Sequence, residues 1–302
     1  MNEIEVQSFW NAHPCGDHLV GGLHDTFEDD YERFFAAYDE WRYRQEGHIP
    51  GCLDRTDWRG RRVLEIGLGQ GAESEQLIRR GASWSGLDVT EESVDRVRAR
   101  LAIRGLPYDD VRHGSAVSIP WPDGTFDLVF SHGVLHHIPD IHLAQREIHR
   151  VLKPGGTLIA MVYARGSLNY QLSIRFVRRA ALLAAYLLRR ARLVRSSPLL
   201  RQHLDNAEII GLRQYLALET FTHHNTDGPL NPYARVYSVR EVAEHFPDFV
   251  VVDAYKRYMH APPLPVHGLP GEGHVGWHLW VTLEARQTAY GGKVQPAEGE
   301  LQ

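Results

Sequence analysis

The segment that most constrains this chain is Val63–Gly71, which reads Val-Leu-Glu-Ile-Gly-Leu-Gly-Gln-Gly. A short apolar run that ends in closely spaced glycines is typical of a β-strand that passes directly into a helix. Glycines at such a turn let the backbone bend sharply, and they let a ligand lie against the main chain where a Cβ atom would clash. In an α/β sheet this turn borders the crevice that binds nucleotide-like ligands. The segment therefore predicts a ligand of that kind at a strand-to-helix turn.

The segments that follow the loop alternate β-rich runs with helical stretches, which predicts βαβ units and a parallel sheet. The expected strands are Arg62–Ile66, Ser83–Val89, Asp110–His113, Phe126–Ser131, Thr157–Tyr163, Phe249–Tyr258 and Trp277–Leu283. The expected helices between the first five strands are Gly71–Arg80, Glu91–Arg104 and Ile141–Leu152. The predicted fold class is α/β: a Rossmann-like, seven-stranded, mostly parallel sheet with an antiparallel last hairpin.

The residue types and their spacing change along the chain, and these changes predict five regions. Residues 1–60 have aromatic and acidic side chains at the spacing of an amphipathic helix, which predicts an N-terminal helical lid. Residues 61–164 form the predicted ligand-binding core, and residues 165–246 a helical cap inserted after the fifth strand. Residues 247–285 supply the last strands. Residues 286–302 offer little to bury and are expected to form a mobile tail.

Composition narrows the class of protein. The net charge of −5 disfavours a general nucleic-acid-binding protein. Two cysteines, Cys15 and Cys52, fit a reducing compartment. The N-terminus carries acids and no apolar secretory segment. The longest apolar run, Ala180–Leu188, is far shorter than the ~20 residues that span a bilayer. A soluble, cytoplasmic protein without a transmembrane segment is expected, and its oligomeric state is not predicted.

The spacing of the glycines discriminates between ligands. Dinucleotide folds favour GxGxxG, whose glycines admit a pyrophosphate to the helix N-terminus. Here the loop is GxGxG, preceded by Glu65 and without a phosphate-binding lysine or arginine. An acid there suits a ligand with an ammonium and a sulfonium. Asp88, seventeen residues after Gly71, ends the second strand, where a carboxylate accepts hydrogen bonds from both hydroxyls of an adenosine ribose.

Four segments of residues 61–163 resemble the core of class I S-adenosylmethionine-dependent methyltransferases, close to the ubiquinone/menaquinone-methyltransferase-like group. They are the glycine loop, Gly114-Ser115-Ala116 with Ile119-Pro120-Trp121, Phe126–His137 and Arg150–Gly156. The resemblance implies S-adenosylmethionine as cofactor. It implies the following cofactor-binding residues: Glu65, Gly67, Gly69, Gly71, Asp88, Val89, Ser115, Ala116 and Ser131.

Ser115 departs from the pattern of this family. Ser115 stands where the family often has an acid that bonds the adenine amino group, and either its oxygen or the backbone of Ala116 is an alternative partner. The opening segment Phe9–Gly16 and the cap are also similar to a bacterial group associated with secondary metabolism.

Methyl transfer from a sulfonium is an in-line displacement, so alignment is the main requirement. A base is needed only where the acceptor loses a proton near the transition state. His132, His136 and His137 follow the fourth strand, and histidine titrates near neutral pH. His132, at the strand end, is the favoured base. His136 and His137 are interpreted either as further candidates or as packing residues of the turn.

The cap offers other polar side chains. Tyr170 follows the fifth strand and is expected to face the substrate cavity. His223 and Asp227 are candidates to orient or deprotonate an acceptor, or else they are turn formers. No metal is expected, because adjacent histidines diverge on a regular element and no HExxH motif occurs.

Arginines are concentrated in the cap, with eight from Arg175 to Arg201. They predict an amphipathic helix with a solvated basic face. Two alternatives remain open: peripheral contact of Arg175–Arg195 with an anionic membrane, and binding of an acidic substrate, since guanidinium pairs with such groups bidentately.

The predicted function is in-line transfer of a methyl group to a small-molecule acceptor of natural-product, lipid-like or anionic character. A nicotinamide-dependent oxidoreductase is one alternative, disfavoured by the GxGxG spacing and by Lys153–Gly156. A non-catalytic cofactor-binding regulatory protein is the other, disfavoured by the intact loop and Asp88. The acceptor, and whether oxygen, nitrogen or carbon is methylated, does not follow from the sequence.

Overall fold

A computed structural model describes residues 3–14, 16, 19–189 and 196–286 of the chain. Its sheet contains β1 Arg62–Ile66, β2 Ser83–Asp88, β3 Asp110–His113, β4 Phe126–His132, β5 Leu152–Tyr163, β6 Phe249–Arg257 and β7 His278–Ala285. The strand order is β3-β2-β1-β4-β5-β7-β6. The first five strands pair in parallel, and β7 pairs antiparallel with β5 and β6. The predicted seven-stranded, mostly parallel sheet with an antiparallel last hairpin is confirmed.

Helices precede the sheet, cover its faces and form the cap. Before the sheet lie α1 Glu3–Ala12, α2 Leu23–Thr26, α3 Tyr31–Gln45 and α4 Ile49–Leu53; between the strands lie α5 Ala72–Arg79, α6 Glu91–Ile103 and α7 Ile141–Val151. After β5 come a π-helical segment Asn169–Arg178, α8 Arg179–Leu187, α9 Pro198–Ile210, α10 Leu212–Tyr215, α11 Leu218–His223, α12 Val239–His245 and α13 Glu272–Val275. No helix in the described ranges is long and apolar enough to cross a membrane.

Some features of the sequence fall on residues that the structure does not describe. Cys15 of the opening segment, Arg190, Arg192 and Arg195 of the basic stretch, and the predicted tail beyond Arg286 all lie outside the described residues.

Local chemistry explains where the elements begin and end. Helix α6 begins after Thr90, whose hydroxyl accepts a hydrogen bond from the Ser93 N–H at 3.4 Å. Helix α5 begins at Ala72 and not at Gly71 as predicted, because Gly71 has a left-handed backbone with φ 76°. Strand β5 begins at Leu152, five residues before the predicted start, because the Lys-Pro-Gly-Gly turn is absorbed into an irregular pairing with β4.

The core consists of two apolar clusters, one on each face of the sheet. Val129 packs in one cluster, while its neighbours Leu128 and Phe130 pack in the other, as the alternation of a strand requires. Part of the predicted lid belongs to this core, because Leu53 and Trp58 pack in the second cluster. A third cluster, residues of the cap packed around the end of β5, lies beyond the carboxyl ends of the strands.

Helix α3 is attached to the core through buried charge. Arg100 of α6 is 1% exposed and donates to Glu75 of α5 at 2.9 Å and to Asp39 of α3 at 2.5 Å. A buried guanidinium is stable only when its donors are paired, so this arginine holds three helices in one arrangement. That arrangement brings Tyr38 and Arg42 to the glycine loop.

Candidate active site

The glycine loop between β1 and α5 is held by the end of β2. Asp88 accepts hydrogen bonds from the Leu68 N–H at 2.7 Å and from the Thr90 N–H and hydroxyl at 2.8 and 2.9 Å. Burial raises the pKa of Asp88, and these hydrogen bonds counteract the shift. Gly67 has φ 81°, and a Cβ atom there would lie 2.1 Å from Val134 Cγ2, so the turn requires glycine.

A cavity opens over this loop. Five of the predicted cofactor-binding residues line it: Gly67, Gly69, Asp88, Val89 and Ala116. The structure places the other four, Glu65, Gly71, Ser115 and Ser131, behind or beside its walls. Gly71 turns the chain into α5, and the Ser131 hydroxyl donates to the Ile66 carbonyl at 3.0 Å.

Glu65 faces away from the cavity. Its carboxyl accepts a hydrogen bond from Trp84 Nε1 at 2.8 Å in the second apolar cluster. Burial raises the pKa of Glu65 to about 8. The expectation that this acid offers a negative charge to the ligand is therefore corrected: the pleat of β1 points its side chain into the core, and Glu73 of α5 lines the cavity instead.

Helix α1 forms one wall of the cavity. The Ser115 hydroxyl donates a hydrogen bond to the Glu3 carboxylate, and Glu3 lines the cavity. Gln7 Nε2 donates to the Val89 carbonyl at 2.8 Å. Glu3, from a distant segment, thus places a carboxylate beside Ser115. Only the acidic character of the N-terminal segment signalled this residue, and nothing in the sequence fixed its partner.

The opposite end of the cavity contains a buried charged cluster, which comprises Arg42, Glu46, Glu73 and His132. Arg42 donates to Glu73 Oε1 at 2.9 and 3.0 Å and to Glu46 Oε1 at 3.2 Å. Its Nη2 also lies 3.1 Å from His132 Nδ1. Arg42 is the one lysine or arginine among the described residues that line the cavity. Its charge is consequently shared between two carboxylates that the protein itself supplies.

These contacts fix the tautomer of His132. Arginine only donates hydrogen bonds, so Nδ1 of His132 must accept. Burial lowers the pKa of His132 to about 3, so the ring is neutral and its one proton resides on Nε2. Nε2 has no partner within the described part of the chain. The prediction of His132 as a base is accordingly revised, because the nitrogen available to a substrate is a hydrogen-bond donor.

His136 and His137 lie in one 3₁₀ turn, Leu135–His137, with ring centroids 4.3 Å apart, so they do not diverge as expected. His137 lines the cavity, and its Nδ1 donates to the Tyr233 carbonyl at 2.7 Å. His136 is fully buried, and its ring centroid lies 3.8 Å from that of Tyr163, with the two ring planes tilted by 35°. Burial lowers the pKa of His136 well below its usual range.

The structure does not bring the two predicted cap residues to the cavity. Tyr170 is buried in the cap cluster, with its hydroxyl 3.4 Å from Arg165 Nη1. His223 packs its ring 5.1 Å from that of Tyr233, and its Nδ1 lies 2.8 Å from the Ala234 carbonyl. Asp227 of the cap contacts a residue that lines the cavity, with its Oδ2 3.3 Å from His137 Nε2.

The chemistry of the lining suits a cation that carries an adenosine. Three carboxylates, Glu3, Glu73 and Asp88, border the cavity among apolar side chains and backbone of the glycine loop. A pyrophosphate would meet no free cationic side chain among the described lining residues, since Arg42 is already paired. This set of groups fits S-adenosylmethionine and disfavours a dinucleotide.

The raised pKa of Glu65 predicts a pH-dependent stability. A carboxyl whose pKa rises on folding contributes stability that is complete below its unfolded pKa and is lost as pH rises towards about 8. Glu65→Gln keeps an acceptor for Trp84 and does not ionise. We expect this variant to raise Tm at pH 8.5 relative to the wild type and to have little effect at pH 5. Glu91→Gln on α6 is the control, and an equal response of Tm at both pH values would contradict the assignment.

Comparison with known proteins supports this description. Residues 64–160 match the methyltransferase domain family. Over 104 residues the chain is 36% identical to the fatty-acid O-methyltransferase of Mycolicibacterium smegmatis, covering 34% of this chain and 37% of the relative. Over 149 residues it is 34% identical to the 27-O-demethylrifamycin SV methyltransferase of Amycolatopsis mediterranei, covering 47% and 52%. The chain therefore spans about a third to a half of the length of these relatives.

Solved structures share the fold over a longer stretch. A SAM-dependent methyltransferase from Aquifex aeolicus superimposes with a TM-score of 0.50 at 16% identity, covering 85% of this chain and 98% of the other. At that identity the likeness concerns the fold alone. Together with the family match and the lining of the cavity, it confirms the resemblance of residues 64–160 to the class I S-adenosylmethionine-dependent methyltransferases, which implies S-adenosylmethionine as the cofactor.

Proposed function

We propose that this chain transfers a methyl group from S-adenosylmethionine to a small-molecule acceptor bound in the cavity between the core and the N-terminal helices. One observation carries the proposal: a single cavity joins the glycine loop and Asp88 to the polar end formed by Arg42, His132 and His137. The first part suits an adenosine-bearing cation, and the second offers polar groups to an acceptor. The lid role of residues 1–60 and the cap role of residues 165–246 are parts of the same proposal.

Each end of the cavity has a separate task. Asp88 and Glu3 would hold the adenosine, and the backbone of the loop with Glu73 would hold the amino-acid end. When bound, the cofactor supplies an electrophilic methyl on a positively charged sulfur. The chain's own contribution is alignment and exclusion of water, which is the main requirement for an in-line displacement. The acceptor oxygen donates an electron pair to the methyl carbon, and the sulfur retains the electron pair of the broken bond. A hydroxyl acceptor would release its proton to solvent, whereas a carboxylate has none to lose.

We infer an oxygen acceptor. Nε2–H of His132 is a donor without a partner among the described residues, so it suits an acceptor atom with lone pairs. Two similar proteins carry names that specify oxygen methylation, of a fatty acid in one and of a rifamycin in the other. A hydroxyl or carboxylate oxygen of a lipid-like or natural-product molecule fits both observations.

Cofactor binding is tested first. Asp88→Ala should weaken the affinity for S-adenosylhomocysteine by one to several kcal/mol, because each ribose hydroxyl loses a charged acceptor (~1.5–3 kcal/mol per bond). Isothermal titration calorimetry measures the change. Asp109→Ala, at the exposed end of the same region, should bind like the wild type. Unchanged affinity in Asp88→Ala would refute the placement of the ribose, and preferential binding of NAD would refute the function.

Methyl transfer is tested with radiolabelled cofactor against cell extracts, followed by identification of the labelled small molecule. On the purified acceptor, His132→Ala should lower kcat/KM by roughly 10²-fold or more, as expected for loss of an aligned donor, with little change in cofactor affinity. His223→Ala serves for comparison, because His223 lies outside the cavity. If His223→Ala were the more damaging substitution, or if no extract yielded a labelled product, this account of the site would be wrong.

We further propose that the cap contacts an anionic membrane surface. Leu172, Phe176, Leu183 and Leu187 are all exposed, and their spacings of four, seven and four residues place them on one face of the helical stretch. Arg175, whose guanidinium lies over the Phe176 ring, supplies positive charge beside this face. A cytoplasmic location, inferred only from the two cysteines, would give access to an anionic leaflet.

Arg178 is not part of that surface. Its guanidinium donates to the Asn225 carbonyl at 2.5 Å and to the Pro262 carbonyl at 2.8 Å. Burial lowers the pKa of Arg178 to about 10. This arginine therefore ties the cap to the loop before the last strand and is unsuitable for testing membrane contact.

Vesicle co-sedimentation tests the membrane proposal. Wild-type protein should bind vesicles that contain phosphatidylserine, less at high salt, and Phe176→Ser with Leu187→Ser should lower binding several-fold. Ile209→Ser is the matched control, because Ile209 is 83% exposed but belongs to α9. Absence of binding by the wild type, or equal losses in both variants, would contradict the proposal.

A further inference from the structure

Four buried polar atoms belong to His136, His137 and Asp227, and of these residues His137 lines the cavity. They are both ring nitrogens of His136, Nε2 of His137 and Oδ2 of Asp227; the nitrogens of His136 have no partner within the described ranges, and Nε2 of His137 faces Oδ2 of Asp227 at 3.3 Å, an ion pair only when the ring is protonated. One nitrogen or oxygen from each of the three residues lies within 4.8 Å of the other two. Leaving buried polar atoms without partners costs free energy, so such a concentration indicates that a partner is missing.

The remaining polar atoms of His137 and Asp227 are already engaged. His137 Nδ1 donates to the Tyr233 carbonyl at 2.7 Å, which leaves the lone pair of Nε2 facing inward when the ring is neutral. Asp227 Oδ1 accepts from the Tyr163 hydroxyl at 2.6 Å, which directs Oδ2 inward. Histidines and carboxylates that bind metals are characteristically oriented by such outer hydrogen bonds.

A metal cation between the three residues would give bonding partners to more of these atoms than a proton on His137 would. A proton on His137 Nε2 would serve Asp227 Oδ2, 3.3 Å away, but it would leave His136 with both nitrogens unpartnered. A cation at the point where the three residues meet would serve one atom of each. Two neutral imidazoles and one carboxylate are a common donor set for divalent transition metals such as Zn²⁺ and Fe²⁺.

We propose that His136, His137 and Asp227 bind one divalent transition-metal ion beside the cofactor cavity. Three protein ligands leave at least one coordination position open. Because His137 also lines the cavity, an acceptor hydroxyl or carboxylate is the natural occupant of that position. A metal ion held there would position a carboxylate oxygen, or would lower the pKa of a hydroxyl so that its proton passes to solvent before methylation. The role towards the acceptor rests on the proposed function; the metal site itself does not.

A second cluster of similar composition provides an internal comparison. Glu46, His48 and His278 also place candidate ligand atoms within 4.8 Å of one another. There, however, His48 Nε2 and His278 Nδ1 lie 3.2 Å apart and share a hydrogen bond. Only Glu46 Oε2 is left without a partner among their described contacts. Of the two clusters, the one formed by His136, His137 and Asp227 therefore contains more buried nitrogen and oxygen atoms that make no hydrogen bond.

The test uses the full chain without an affinity tag, stripped of metal and free of cofactor. Co²⁺ is titrated while visible absorbance and heat are recorded, and we expect one tight site per chain. Asp227→Asn keeps the size of the side chain but loses the charge, and it should weaken Co²⁺ binding at least 10-fold, as should His136→Ala. Glu46→Gln removes the acid of the second cluster and should leave Co²⁺ binding unchanged.

Affinity for S-adenosylhomocysteine is measured on the same samples as a readout of folding. Retained cofactor affinity with lost Co²⁺ binding in Asp227→Asn supports the metal site. Failure of the wild type to bind Co²⁺, or loss of binding in Glu46→Gln but not in Asp227→Asn, overturns it. Loss of cofactor binding by the wild type would instead refute the proposed function, so the two failures are distinguishable.

Discussion

The carboxylate of Asp88 accepts hydrogen bonds from the Leu68 N–H and from the Thr90 N–H and hydroxyl, and the shape of the cofactor pocket depends on these contacts. Charge-assisted hydrogen bonds to a buried acceptor are among the strongest that a protein makes. They therefore fix the loop after β1 in position relative to the turn after β2. Gly67 can then keep its left-handed backbone beside Val134. The ligand-facing backbone of the loop is thereby fixed before any ligand binds.

The sheet was predictable because its signals are local. Each strand has a short apolar run, and neighbours such as Leu128 and Val129 pack on opposite faces, so a wrong register would expose a whole cluster. Errors occurred where local signals compete. The glycines before Thr157 favoured a turn, whereas pairing with β4 extends the strand back to Leu152.

The site was less predictable because its parts meet only in the fold. Glu65 belongs to the loop by sequence, but the pleat of β1 turns its side chain towards Trp84. Arg42 comes from α3, whose position over the loop depends on the contacts of Arg100, and Glu3 comes from α1, which Gln7 holds to the core. Asp227 contacts His137, which lies ninety residues earlier in the chain, and no periodicity or spacing in the sequence predicts that contact. Residue types were therefore readable from the sequence, while partners were not.

Helix α1 also has a consequence for turnover. It forms a wall of the pocket and is held to the core by side-chain contacts such as those of Glu3 and Gln7. Contacts of this kind are individually weak, so the helix detaches more readily than the strands separate. If S-adenosylmethionine binds in this pocket as proposed, release of its demethylated product would be governed by how often the helix lifts. The first ten or so residues of the chain would then set the residence time of the by-product, while the loop sets its affinity.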